Sequence, residues 1–149
     1  MPCTRPNLET HRPNHHLEVS DEQFIKDMEQ GGFPPNLFTH EAHIRLAWLY
    51  LNQFDEKLAI EKTCQTIQNF GKLHGDGTKF HLTLTVASVK VVQHFRKKSN
   101  ATSFIGFINE NPRLNNAFKS LILIHYGTNP LNLENAKARF IAPDQLPFD

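Results

Sequence analysis

The stretch His81-Leu82-Thr83-Leu84-Thr85-Val86-Ala87-Ser88-Val89-Lys90-Val91-Val92-Gln93-His94-Phe95 decides the fold. Its opening residues alternate polar and apolar and include β-branched side chains, the pattern of a half-buried strand. The continuation from Ala87 to Phe95 carries no turn signal and makes the whole too long for an ordinary strand. Segment 80 to about 97 is therefore read as one buried helix.

Upstream, Thr39 is placed to cap a helix running to about Phe54. Its apolar residues, from Ala42 and Ile44 through Trp48 to Leu51, surround most of the circumference, which marks a central helix. Asp55 caps the next, a surface helix to about Leu73. Ser20, with Gln23 three residues on, resembles a capping box for a first helix that Gly31-Gly32 ends. Downstream, two shorter helices are expected near 103–110 and 115–126, divided by Asn111-Pro112, and a last one from Leu133 to Phe140, ending at Pro143. Residues 1–18, rich in Pro and His and without apolar periodicity, read as a disordered leader. The expected fold is all-α: a single domain over 19–149, built as a bundle of about five to seven helices.

Sixteen basic and fifteen acidic side chains leave the 149-residue chain near neutrality. That argues against nucleic-acid or membrane-surface partners, which call for a basic patch. The 39% hydrophobic content, with twelve Phe, is enough for one core. Cys3 and Cys64 make no disulfide framework, no long apolar run suggests a transmembrane helix, and the N-terminus lacks the apolar core of a signal peptide. The expected location is the cytoplasm; the oligomeric state is left open.

Short connections make neighbouring helices antiparallel, so the helices starting at Thr39 and near Phe80 begin at the same end of the bundle. His40, His43 and His81 lie in those first turns. Together they suggest a histidine-rich cleft at one end. His43 or His81 can serve as general base, with Thr85 and Tyr50 orienting substrate and Lys79 or Arg45 holding an anionic group. Helix N-termini at the same place favour an anion. His40, His43 and His81 can also supply three ligands to one divalent metal (zinc, iron or manganese), with water in the fourth position. The leading reading is a metal-dependent or acid–base enzyme for a small anionic substrate. The alternative is a non-catalytic module that binds a small ligand or a protein, its histidines being structural. On that simpler view Glu41 and Arg45, four apart, form an ordinary helix ion pair, and Thr83 is solvent-facing or bonded back to its own helix.

Three blocks carry a resemblance: Phe38-Thr39-His40-Glu41-Ala42-His43-Ile44-Arg45-Leu46-Ala47-Trp48, then His81-Leu82-Thr83-Leu84-Thr85, then Ala138-Arg139-Phe140-Ile141-Ala142-Pro143-Asp144. Together they resemble a family of small bacterial proteins of unknown function, over most of the chain from about residue 20. The family pattern has Glu where this chain has Leu82. The resemblance implies that the two histidine blocks and the Arg139/Asp144 tail form one unit, and it implies no reaction.

Overall fold

A computed structural model describes residues 13–149. Within them the chain forms seven α-helices and no strand. Residues 1–12, with Cys3, His11 and most of the expected leader, lie outside the described residues.

Local signals start most of the helices. In α1 (Asp21–Gln30), Ser20 Oγ accepts from the Gln23 amide at 3.2 Å. This is half of the expected capping box, because the Gln23 side chain donates to Asp27 instead. Gly31 closes α1 with φ at 79°, the left-handed conformation that glycine adopts without penalty. A Cβ there would also press on the Leu73 side chain, whereas one on Gly32 meets open space. Gly31→Ala is therefore expected to lower stability by about 1–2 kcal/mol. In urea unfolding its midpoint should drop, and that of Gly32→Ala should not.

Three helices make the centre. α2 (His40–Gln53) is capped by Thr39 and α3 (Glu56–His74) by Asp55. α4 (Leu82–Lys97) is the stretch that decides the fold, helical throughout. Each of the three packs on the other two. The period-two pattern at the start of α4 does not make a strand because its polar residues have helical roles. His81 is the N-cap, and the Thr85 and Ser88 hydroxyls donate to carbonyls four residues back, at 2.7 and 2.6 Å. Val89, Val91 and Val92 then fill the core. α5 (Phe104–Glu110) brings Phe104 and Phe107 onto Trp48, while α6 (Arg113–Asn116) and α7 (Phe118–His125) pack near the starts of α2 and α4. No helix of the described residues is long and apolar enough to cross a membrane.

Four expectations need correction. Leu133–Phe140 is a run of turns, not a helix. Asn135 sits at φ 67°, and the Ala136 and Lys137 carbonyls accept from the Thr83 and Leu82 amides at 3.1 and 2.9 Å. The segment gives up its own helical hydrogen bonds to cap α4. Thr83 is fully buried rather than solvent-facing or back-bonded: its hydroxyl donates to the Arg139 carbonyl at 2.7 Å and accepts from the Ile141 amide at 3.1 Å. The folded domain also begins before residue 19. His15 Nδ1 accepts from the Leu17 amide at 3.1 Å, His16–Glu18 form a short 3-10 turn, and His16 is fully buried. Finally, Glu41 and Arg45 do not pair, since each has a partner elsewhere. Arg45 donates to the His16 and Val19 carbonyls and to Asp21, while Glu41 accepts from His16 and Asn115.

Candidate functional site

A cleft of about 790 Å³ opens between the first turns of α2 and α4, walled further by α3, α6 and α7. His40, His43 and His81 all line it, as the up-down-up order of α2, α3 and α4 requires. Its walls include Ile44, Ala47, Ile67, Leu84, Val89 and Phe118. Lys79 and Lys119, both exposed, also line it.

The partners of each imidazole fix where its hydrogen sits. A carbonyl oxygen can only accept, so a ring nitrogen facing one carries the hydrogen. His43 Nδ1 lies 2.7 Å from the Thr39 carbonyl, which leaves Nε2 with the lone pair. The ring stacks on Phe38 at 3.7 Å between centroids. Burial holds the His43 pKa below its ordinary value, against the Thr39 bond, with a smaller push from His40. His40 Nε2 donates to the Leu114 carbonyl at 2.8 Å, which leaves Nδ1 as its open nitrogen. His81 is arranged the other way round: Nδ1 accepts from the Leu84 amide at 3.1 Å, so the hydrogen is on Nε2. Burial lowers the His81 pKa as well, with the Pro130 carbonyl partly offsetting it.

This arrangement corrects the three-histidine metal site. His81 has spent its lone pair as a helix cap, so the cleft offers two open imidazole nitrogens and not three. Among the described residues, the group of three whose ligand atoms lie within 4.8 Å of one another is instead His15, His16 and Glu41, outside the cleft. That group is already bridged by protons. His16 Nε2 donates to Glu41 at 2.8 Å, and His15 Nδ1 accepts from the Leu17 amide, so its Nε2 carries a hydrogen too. An ion there would displace both hydrogens beside the Arg45 guanidinium, which lies 3.4 Å from His16 Nδ1.

Arg45 and Tyr50, expected to hold or orient a ligand, are not cleft residues. Arg45 follows His43 by two positions, about 200° round the helix, and turns its guanidinium to the N-terminal turn. Tyr50 donates to Glu29 at 2.8 Å and shares a hydrogen bond with Thr66 at 2.9 Å; burial pushes its pKa up. Thr85 does line the cleft, but its hydrogen is committed to the His81 carbonyl, so it faces a ligand as an acceptor. The start of α4 is no anion site: its Leu82, Thr83 and Leu84 amides already donate to Lys137, Ala136 and His81. Leu82 is outside the cleft wall. Lys119 and Asn115 line the cleft unforeseen, placed there when α6 and α7 fold back over α2 and α4.

No protein-family model, no curated protein and no solved structure matches this chain.

Proposed function

We propose that the cleft binds a small anion with an apolar body, such as an aliphatic or aromatic carboxylate. One observation carries the reading: the ionisable side chains of the wall are Lys79, Lys119, His40, His43 and His81, with no Asp or Glu among them. The rest of the wall is largely aliphatic and aromatic, and the volume suits a small-molecule site. His43 and His81, held below the ordinary imidazole pKa by burial, are neutral at pH 7.5. The fixed positive charge there comes from the two lysines, which draws an anion to the mouth while its body lies against Ile44, Ile67 and Phe118.

His43 favours a second reading, in which the bound anion is also a substrate. Its Nδ1–H is held by the Thr39 carbonyl, which orients the ring and leaves Nε2 free to take a proton. Binding is the common requirement of both readings. The fluorescent anion anilinonaphthalene sulfonate tests it. The double variant Lys79→Gln, Lys119→Gln is expected to bind it about tenfold more weakly than the parent, since each exposed charge contact is worth up to about 1 kcal/mol and tenfold corresponds to about 1.4 kcal/mol. Leu73→Gln, on an exposed face outside the cleft, should bind as the parent does. Equal affinity in parent and double variant would overturn the proposal.

A further inference from the structure

The N-terminal turn and the cleft wall are tied to the same carboxylate. Glu41, in the first turn of α2, accepts from His16 Nε2 at 2.8 Å through one oxygen and from Asn115 Nδ2 at 2.7 Å through the other. Asn115 belongs to α6 and lines the cleft, next to the Leu114 carbonyl that holds His40. His16 lies ahead of α1 in the chain and is nonetheless fully buried, its ring between Phe24 of α1 and Phe104 of α5 at 6.3 and 6.1 Å. The charged and titratable groups around it are His15, stacked at 4.6 Å, Glu41 and Arg45 from α2, and Asp21 from α1, bonded to Arg45.

We propose that His16, Glu41 and Asn115 form a proton-operated clasp, which holds the N-terminal turn and the α6 wall of the cleft to α2 and opens when His16 Nδ1 takes up a proton. In the neutral ring, Nε2 donates to Glu41 and Nδ1 faces a guanidinium N–H of Arg45. A second ring hydrogen would set N–H against N–H on a fully buried ring, where added charge is costly. The ring must then leave its pocket, and Glu41 loses the partner that fixes it against Asn115.

The sign follows from burial. Desolvation is the largest influence on His16 and holds its pKa below the ordinary 6.5, outweighing the opposing pull of Glu41. A buried histidine with a lowered pKa contributes its stability fully above pH 6.5 and loses it as the pH falls below that value. The clasp is closed in neutral solution and weakened by mild acid.

Hydrogen exchange of the full chain at pH 7.5 and 5.5, corrected for intrinsic rates, tests this without any ligand. It therefore stands or falls apart from the reading of the cleft. Two sets of amides report: Glu18 and Val19 in the N-terminal turn, and Asn115, Asn116 and Ala117 in α6. Protection of both sets is expected to fall severalfold in acid, with about tenfold as the ceiling for one histidine that opens to an ordinary pKa of 6.5, while α3 keeps its own. In His16→Gln, which keeps a donor for Glu41 but does not titrate, protection of both sets should not change with pH. In Asn115→Ala the turn should still open in acid, and α6 should no longer follow it. Unchanged protection in the parent would overturn the clasp, and so would the same acid loss in His16→Gln. Turn opening without α6 loosening in the parent would overturn the link to the cleft wall. Should His16→Gln fail to fold, Asn115→Ala decides, because an α6 that still follows the turn there contradicts the proposal.

Discussion

Arg45→Ala is expected to cost about 3 kcal/mol of stability, the largest effect of any single substitution in the cleft or its supports. Arg45 is 3% exposed and donates to the His16 carbonyl at 2.6 Å, the Val19 carbonyl at 2.8 Å and Asp21 at 2.8 Å. Its guanidinium also lies over the Phe24 ring at 4.7 Å. The ion pair with Asp21 is the lesser loss, because that carboxylate is half exposed and rehydrates. The greater loss is the Val19 carbonyl left without its donor and the His16 carbonyl left with the Val19 amide alone, together with the void beside Phe24. Arg45→Lys keeps the charge but not the planar fork that reaches all three acceptors, and is expected to lose most of the same stability. Urea unfolding measures the cost. Binding of anilinonaphthalene sulfonate to the folded variant separates this structural role from the ligand-holding one suggested by sequence. Affinity should match the parent; a stable variant that binds poorly would return Arg45 to the site.

Thr83→Val is expected to cost about 2 kcal/mol, although the two side chains have the same shape. The hydroxyl, on a fully buried residue, donates to the Arg139 carbonyl and accepts from the Ile141 amide. Valine takes this partner from both backbone groups, at two part-buried hydrogen bonds. Thr83→Ser keeps both bonds and should lose less. The second signature is local: the Ile141 amide should lose its exchange protection in Thr83→Val and keep it in Thr83→Ser. Equal stability of the Val and Ser variants would show that the tail is held by other contacts, such as the Tyr126 hydroxyl on the Ile141 carbonyl at 2.7 Å.

The helices were legible in the sequence because their starts are written locally. Ser20, Thr39 and Asp55 each accept from an amide three residues on, and the apolar spacing of α2 and α4 is a property of the segments themselves. What escaped depends on distant partners. Arg45 binds residues 24 to 29 positions earlier, and Thr83 binds residues 56 and 58 positions later. No periodicity encodes either pairing. The same separation divides the candidate site. The shared end of α2 and α4 placed His40, His43 and His81 on one cleft, but the hydrogen on each ring depends on which backbone group stands opposite. For His40 that group is Leu114, 74 residues away. Segment 133–140 departs from the expected helix for a related reason: its carbonyls serve α4, a tertiary demand that overrides its propensity.

The most direct test of the cleft as a site for apolar anions is a calorimetric titration of the full chain at pH 7.5 with decanoate and with decylamine. The two probes share a tail and differ in the sign of the head. Saturable binding of decanoate at one site per chain, with decylamine binding far more weakly, is the expected result. Equal binding of the two would reduce the cleft to an apolar groove without charge selection, and preference for the amine would contradict the reading outright.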